Sequence, residues 1–284
     1  MSQPQVWLVT GASSGFGRYV TEIALSKGDT VVATARTPQS LDDLKAKYPA
    51  DKLHILKLDV TKPEEITAVF EKVKETIGRI DVVFNNAGFI LYGEIEAVPH
   101  ASARAQFETN FWGAVEVTIQ AIKFFREVNK PMGGRLLNMS SILGVLSVPS
   151  SGWYCASKHA LEAVSETLVG ELDPEWNIKL TIIEPGMFAT DVFTKSQRVD
   201  PPPAYNKPTL GGVQWRKFFL ESDPAKLGNA RKASEKVYEI ARVADPPLRL
   251  PLGKEPFERI PIAFKQIQDE MAKYESWQKD LYNA

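Results

Sequence analysis

The sequence contains little of what is typical of a secreted or membrane-anchored protein. Its 284 residues include one cysteine, Cys155, so no intramolecular disulfide can form, which favours a reducing compartment. The amino terminus lacks the basic start and long apolar stretch of a secretory signal, and no window approaches the ~20 apolar residues that cross a bilayer. We therefore expect a cytoplasmic protein without a membrane anchor.

The sequence also contains few histidines and carries almost no net charge. The three histidines, at positions 54, 100 and 159, are far apart, and no group of Cys, His and carboxylate residues has metal-ligand spacing. This disfavours a zinc-type alcohol dehydrogenase, and we expect no metal site. The formal net charge of −1 creates no global field that would attract nucleic acid or an anionic membrane, so neither is an expected partner.

Short β-branched runs alternate with longer helical patterns along the chain. Several of the runs are apolar at nearly every position, which is typical of strands covered on both faces. The predicted strands are 6–10, 30–35, 53–58, 80–84, 135–139, 179–183 and 248–252. The predicted helices are 15–27, 40–47, 63–77, 101–128, 154–172, 234–243 and 263–282. The alternation predicts an α/β fold: a Rossmann-type, doubly wound parallel sheet in a three-layer α/β/α arrangement, forming a single domain over 1–284.

Residues 186–228 interrupt this alternation with many prolines and glycines. Long irregular segments inside compact domains are often lids or binding loops, so we expect this region to contact a substrate. Its aromatic content favours a bulky apolar substrate, although such side chains can also form the loop's own packing core. The aromatic residues are Phe188, Phe193, Tyr205, Trp215, Phe218 and Phe219. A helical extension is expected at about 261–284, with Trp277 and Tyr282 packing on the body or on a second subunit.

A glycine-rich turn follows the first predicted strand and opens the first helix. In T-G-A-S-S-G-F-G (10–17), Gly11 permits a sharp turn, Gly15 lets the backbone approach a pyrophosphate, and Gly17 allows close helix packing. The free N–H groups at the positive end of a helix bind phosphate. The turn therefore predicts a dinucleotide cofactor. Its predicted cofactor-binding residues are Gly11, Ser13, Ser14, Gly15, Phe16 and Gly17.

The end of the second predicted strand indicates which dinucleotide is bound. Proteins that bind NAD usually carry an acidic residue there, which hydrogen-bonds the ribose 2′-hydroxyl. Ala35 occupies this position and Arg36 follows, so repulsion toward a 2′-phosphate is absent and a guanidinium is available to bind it. We predict NADP(H); the alternative is that Arg36 is a solvated loop charge.

Tyr154 and Lys158 are four residues apart in a predicted helix and therefore share one face. An ammonium group nearby favours the phenolate, bringing the tyrosine pKa down from near 10 toward the working pH. Ser141 lies thirteen residues upstream of Tyr154, at the end of the fifth predicted strand. Ser140 is the alternative candidate for the catalytic serine, but the spacing to Tyr154 favours Ser141.

These motifs occur in an order that resembles the short-chain dehydrogenase/reductase family, in its compact single-domain branch. The G-x-x-x-G-x-G spacing, N-N-A-G at 85–88, T-N-F at 109–111 and Y-x-x-x-K at 154–158 carry the resemblance, which spans essentially the whole chain. It implies a catalytic tetrad of Asn110, Ser141, Tyr154 and Lys158. Further cofactor contacts are implied at Asp59, Val60, Asn86, Ala87, Gly88, Pro185, Gly186, Phe188 and Thr190, in addition to Tyr154 and Lys158.

The resemblance also implies a mechanism and an assembly. Tyr154 would donate a proton to a carbonyl oxygen that Ser141 hydrogen-bonds, Lys158 would hold ribose hydroxyls, and Asn110 would place a water linking Lys158 to solvent. The expected substrate is a ketone, aldehyde or alcohol, with reduction of a bulky apolar carbonyl compound favoured. A homodimer or homotetramer formed through the helices at 101–128 and 154–172 is expected. The segment 246–253, P-P-L-R-L-P-L-G, resembles a subgroup near the 17β-hydroxysteroid and retinol dehydrogenases.

One detail and two other functions stay open. Asp59 matches the family's adenine-contacting acid, but it is also interpretable as a helix-capping aspartate. A non-catalytic dinucleotide-binding sensor or scaffold has the same fold, although such proteins typically lose the tyrosine or lysine. A sugar-nucleotide epimerase or dehydratase of the longer branch shares Tyr and Lys, but usually has another glycine spacing and a larger carboxy-terminal domain.

Overall fold

The computed structural model describes residues 3–192, 196–279 and 281. The strands are β1 (Val6–Val9), β2 (Thr30–Ala35), β3 (Leu53–Lys57), β4 (Val82–Asn85), β5 (Leu91–Tyr92), β6 (Gly134–Met139), β7 (Ile178–Pro185), β8 (Gln197–Arg198) and β9 (Arg249–Leu252). Seven of them form a parallel sheet in the order β3-β2-β1-β4-β6-β7-β9. A second sheet is a two-residue parallel pairing of β5 with β8.

Helices cover both faces of the large sheet. Because side chains of a strand alternate between faces, Trp7 and Val9 belong to one buried cluster, with residues of the helices at 15–26 and 230–240. Leu8 belongs to another, with residues of the helices at 63–76 and 114–127. This confirms the predicted three-layer, doubly wound arrangement. The helices are α1 (Gly15–Ser26), α2 (Asp42–Lys45), α3 (Pro63–Thr76), α4 (His100–Phe107), α5 (Ala114–Glu127), α6 (Gly152–Glu171), α7 (Gly211–Glu221), α8 (Ala230–Ile240) and α9 (Lys254–Lys273).

The strand order reverses beside β1, which has β2 on one side and β4 on the other. Chain connections leave β1 and β4 in opposite directions at this point, so a crevice opens at the carboxyl ends of the two strands. In open α/β sheets, ligands bind in this crevice. The topology therefore brings the glycine-rich turn after β1 and the N-N-A-G segment at the end of β4 to one place.

The predicted helix 101–128 is interrupted. A π-helical segment, Glu108–Gly113, separates α4 from α5, and Asn110 lies within it. The predicted continuous helix did not include this insertion. Segments of this kind are frequent at functional sites.

Two regions differ from the prediction. The segment 186–228 includes β8 and the eleven-residue helix α7, although Phe193 lies outside the described residues. The terminal helix begins at Lys254 rather than at 263 and ends at Lys273. Pro256 is tolerated in its first turn, where the missing N–H has no helical partner, and Pro261 lies inside the helix at the cost of one hydrogen bond. Tyr282 lies outside the described residues.

Among the helices that the structure describes, none has the length and apolarity required to cross a bilayer.

Candidate active site

A cavity of about 430 Å³ opens at the carboxyl ends of the central strands. Most of the residues predicted from sequence line it. They are Gly11, Ser13, Ser14, Gly15, Phe16, Arg36, Asp59, Val60, Asn86, Ala87, Gly88, Ser141, Tyr154, Lys158, Pro185, Gly186, Phe188 and Thr190. Two predicted residues, Gly17 and Asn110, are not part of the lining; each packs behind a lining residue, Gly17 behind Gly11 and Asn110 behind Gly88.

The backbone of the glycine-rich turn requires glycine at three positions. Gly11 and Gly15 have φ values of +66° and +54°, in the left-handed region that favours glycine. A side chain at Gly17 would overlap the carbonyl oxygen of Gly11. The first N–H groups of α1 have no intrahelical partner, and in the described structure no side-chain hydrogen bond from Ser14 caps them. The turn therefore fits a pyrophosphate.

Thr10, which sequence reasoning missed, joins this turn to the end of β4. Its Oγ1 accepts hydrogen bonds from the N–H groups of Asn86 (2.8 Å) and Ala87 (2.9 Å). The side-chain amide of Asn86 donates in return to the carbonyl oxygen of Thr10 at 3.0 Å. These bonds cross the crevice and hold its two edges at a fixed separation.

Arg36 follows β2 and Asp59 follows β3, and both residues line the cavity. Arg36 is exposed, and within the described residues it forms no ion pair. Burial opposes ionisation of Asp59, but hydrogen bonds from the N–H and hydroxyl of Thr61 (3.1 and 2.8 Å) hold its pKa below the usual value. The helix-capping interpretation of Asp59 is wrong, because α3 begins after Lys62 and Asp59 closes a turn with Thr61 instead.

Tyr154, Lys158 and Ser141 converge at the centre of the cavity. The lowered pKa predicted for Tyr154 is not found: burial raises this pKa, while the hydrogen bond of Tyr154 with Ser141 acts in the opposite direction. The ammonium of Lys158 lies 5.9 Å from the centre of the Tyr154 ring and donates to the carbonyl oxygen of Met139 at 2.7 Å. Burial lowers the pKa of Lys158 to about 8. This arrangement places a proton donor, a hydroxyl and a cation around one point.

Asn110 holds the backbone next to Gly88. Its side-chain amide donates to the carbonyl oxygen of Phe89 at 2.9 Å and accepts from the N–H of Phe89 at 3.0 Å. The π-helical turn positions the amide for this double contact. The amide is therefore engaged with protein, and the predicted role of Asn110 in placing a water stays a prediction.

The two candidate serines have different partners. Both serines line the cavity, but Ser140 donates a hydrogen bond to the buried carboxylate of Glu162. Ser141 instead forms a hydrogen bond with Tyr154, and its Oγ accepts from the N–H of Leu143 at 3.1 Å. This geometry agrees with the choice of Ser141.

A buried charge network behind α6 was missed by sequence reasoning. Arg249 of β9 pairs with Glu162 and Glu166 of α6 and with Glu184 of β7. The side chains of Glu162 and Glu184 are only 4% and 2% exposed. Glu162 lies one helical turn after Lys158 and therefore on the same, buried face of α6. A carboxylate at such a position could have indicated a buried ion pair. Its partner is 87 residues away and had no local signal.

Aromatic and aliphatic side chains form another wall of the cavity, which we call the apolar wall. Phe219 of α7 lies against Tyr92, with ring centroids 4.3 Å apart. Arg216 of α7 pairs with the buried carboxylate of Glu94, which also accepts from Ser150 at 3.1 Å, so α7 is fixed to the body. The residues of this apolar wall are Ile90, Tyr92, Leu143, Met187, Trp215 and Phe219. Glu255 and Arg259 of α9 also line the cavity; the sequence placed them outside a helix.

Several known proteins are similar to this chain. The family model described as short chain dehydrogenase matches residues 5–200. The oxidoreductase calM of Penicillium decumbens is 38% identical over 279 residues, covering 95% of this chain and 90% of that protein. An uncharacterized oxidoreductase of Schizosaccharomyces pombe is 36% identical, covering 93% and 87%. The 3-ketodihydrosphingosine reductase of Bacteroides thetaiotaomicron is 30% identical, covering 98% and 94%.

Solved structures agree with these matches. A short-chain dehydrogenase from Streptomyces avermitilis superimposes with a TM-score of 0.87 and 34% identity, covering 100% of both chains. Two proteins share the fold at lower identity: one from Burkholderia phymatum in complex with NAD (TM-score 0.77, 21% identity, 94% and 95% covered) and one from Burkholderia cenocepacia in complex with NADP (0.68, 23%, 96% and 97%). The chain belongs to the short-chain dehydrogenase/reductase family and is an oxidoreductase.

Proposed function

We propose that the protein is an NADP(H)-dependent reductase that converts a bulky, apolar ketone or aldehyde to the alcohol. The observation that carries the proposal is the convergence of Ser141, Tyr154 and Lys158 in one cavity, between the glycine-rich turn and the apolar wall. A dinucleotide on the turn and a carbonyl compound against the wall would meet at these three side chains.

The preference for NADP(H) rests on the end of β2. Ala35 is buried and carries no charge, and the exposed guanidinium of Arg36 lines the cavity next to it. A 2′-phosphate on the adenosine ribose would find a bidentate donor and no opposing carboxylate at this position. The ribose hydroxyl of NAD would lack the acidic acceptor that NAD-binding proteins usually provide there.

Each of the three central side chains has a defined task in the reduction. When bound, the reduced nicotinamide supplies the hydride that the carbonyl carbon accepts. Tyr154 donates its phenolic proton to the carbonyl oxygen, and the hydroxyl of Ser141 hydrogen-bonds the same oxygen as negative charge develops. Lys158 stabilises the phenolate that Tyr154 becomes and binds the ribose hydroxyls.

The apolar wall supports a bulky substrate. Tyr92, Trp215 and Phe219 present aromatic surface to the cavity, whereas Phe218 on the same helix is exposed. Pockets that bind apolar ligands are lined in this way, with a few polar groups that fix orientation. One relative at 30% identity is named as a reductase of a 3-keto compound.

Phe219→Ala tests the substrate class. For an aryl ketone we expect kcat/KM with NADPH to fall at least ~10-fold, because the substrate loses an aromatic contact, and for acetone it should change by less than about 2-fold. The neighbouring Phe218 is exposed, but its ring lies 5.6 Å from that of Trp215, so the matched control is Phe218→Leu, which keeps an apolar side chain there and should behave like wild type. Equal losses for both ketones, or equal effects of both variants, would refute an apolar substrate site at this wall.

The pKa of Lys158 predicts an alkaline limit of activity. Burial lowers this pKa to about 8, opposed by the carboxylate of Glu162, and the ammonium also faces the ring of Tyr154. Above that pH the ammonium is lost, and with it the stabilisation of the Tyr154 phenolate. We expect kcat/KM for reduction to fall as the pH rises through about 8, measured across the neutral and alkaline range. A rate that stays constant to about two pH units higher contradicts this assignment.

The lowered pKa of Lys158 also makes the stability of the fold depend on pH, and stability rises with pH where activity is expected to fall. The folded pKa of Lys158 lies below its unfolded value of ~10.4, so the unfolded chain binds more protons between about pH 8 and that value. The contribution of Lys158 to the free energy of unfolding therefore rises with pH across this window. Urea titrations of wild type and Lys158→Met at both ends of the window isolate this contribution.

A further inference from the structure

Three cationic side chains line the described part of the cavity, and one of them has no task in the proposed reaction. Arg36 lies where the 2′-phosphate is expected, and Lys158 lies beside Tyr154. The third is Arg259, in the second turn of α9. Its guanidinium carbon lies 5.9 Å from the centre of the Trp215 ring. A permanent positive charge therefore lies against the apolar wall.

No carboxylate neutralises this charge in the part of the chain that the structure describes. Arg259 is exposed and forms no ion pair there. Glu255 is the natural partner, because it lies four residues earlier on the same helix face. Its carboxylate lies against Gly186 instead, and its Oε2 accepts from the N–H of Met187 at 3.4 Å. The N–H groups of Arg259 are therefore available to a ligand.

Two neutral polar groups of the cavity lining also lack a partner. The indole Nε1 of Trp215 and the Oγ of Ser196 are buried, and neither forms a hydrogen bond with the described residues. A buried donor without an acceptor costs free energy, so native structures rarely contain one unless water or a ligand binds it. Because Arg259 covers the ring of Trp215, a cationic and a neutral donor lie next to each other, both without an acceptor.

We propose that Arg259 and Trp215 bind a carboxylate at the end of the substrate that is remote from the carbonyl group. The inference rests on the proposed function and narrows its substrate class to apolar ketones or aldehydes that carry an acid. A carboxylate matches the planar fork of a guanidinium and can also accept from an indole N–H. Asp191 and Glu255 line the same cavity, so a dianion such as phosphate meets more repulsion than a monoanion.

The dinucleotide is the other source of an anion in this cavity. Its phosphates are expected at the glycine-rich turn after β1 and at Arg36 after β2. Arg259 belongs to α9, which follows β9 at the opposite edge of the sheet. This position favours the substrate over the cofactor as the ligand of Arg259.

The test uses a matched series of ketones. Each is a para-acetylphenyl alkanoate with a methylene tail of stated length, and it is paired with the amide of the same length, which has the same size and no charge. Calorimetric titration of the protein loaded with NADP+ gives the Kd of each ketone without turnover. Oxidation of NADPH gives kcat/KM for the same compounds, so binding and reaction are measured separately.

We expect wild type to favour the acid over the amide at least ~10-fold, in Kd and in kcat/KM, for at least one tail length. Arg259→Met should abolish this preference while changing Kd for the amide by less than about 2-fold. Trp215→Phe keeps an aromatic ring and removes the N–H, and should reduce the preference about 3-fold. Arg104→Met, which replaces an exposed arginine outside the cavity lining, should match wild type.

Three outcomes would overturn the proposal. The first is that no tail length favours the acid, and the second is a preference that survives Arg259→Met. The third is a loss of NADPH affinity in Arg259→Met as large as the loss for the acid, because the anion would then belong to the cofactor. The proposed function fails independently: if the acid binds through Arg259 but no ketone is reduced, the carboxylate site stands and the reductase does not.

Discussion

Tyr154→Phe is expected to lower kcat for carbonyl reduction at least ~10³-fold while changing the affinity for NADPH by less than about 2-fold. The substitution removes the phenolic proton and keeps the ring, so the packing of α6 and the glycine-rich turn should be unaffected. The hydroxyl lies at the point where Ser141 and Lys158 converge, and in the described cavity no other phenol has this pair of neighbours.

The cavity supplies a matched control for this experiment. Tyr92 is also buried and lines the cavity, but its ring lies against Phe219 and belongs to the apolar wall. Tyr92→Phe removes the same atom from the same cavity and should retain most of the activity. If Tyr154→Phe keeps wild-type turnover, another group donates the proton. If neither wild type nor variant turns over any carbonyl compound while both bind NADPH, a non-catalytic dinucleotide-binding protein becomes the better account.

Arg249→Met is expected to lower the free energy of unfolding by about 3 kcal/mol at neutral pH. Removing the guanidinium leaves the carboxylates of Glu162 and Glu184 buried without a cation, and burial already raises the pKa of Glu184. The figure is at the low end of the range for a broken buried pair, because the Arg249 side chain is 35% exposed and solvent screens part of its charge. Urea unfolding of the purified variant measures the loss.

Two further variants separate this explanation from a general effect of the mutation. Glu166→Gln removes the partner that is 48% exposed and should cost less than ~1 kcal/mol. The triple variant Arg249→Met/Glu162→Gln/Glu184→Gln removes the buried charges together and should recover most of the loss. A triple variant no more stable than Arg249→Met would show that the buried carboxylates are not the cause.

The parts of the site that could be predicted from sequence are those defined by local spacing. Gly11 and Gly15 adopt positive φ because a strand must turn into a helix around a phosphate, and this requirement is visible in five consecutive residues. Tyr154 and Lys158 share a helix face, so their spacing alone places them together. The doubly wound sheet was predictable for a similar reason, because buried parallel strands are apolar along their whole length.

The parts that were missed depend on tertiary contacts. Thr10 clamps Asn86 across 76 residues, and Arg249 reaches Glu162 across 87. The terminal helix was predicted to begin at 263, whereas α9 begins at Lys254, so the prediction left Arg259 outside a helix that lines the cavity. Tertiary context decided each of these positions, and no pattern in the neighbouring residues reports it.

The measurement that tests the central claim most directly is a fluorescence titration of the purified protein with NADPH and with NADH, for wild type, Arg36→Ala and the distant control Arg104→Ala. The account predicts that wild type and Arg104→Ala bind NADPH at least ~10-fold more tightly than NADH, a difference of at least ~1.4 kcal/mol, and that Arg36→Ala abolishes the difference. Equal affinity of wild type for NADPH and NADH would contradict the assignment of NADP(H), and binding of neither would contradict the proposed reductase itself.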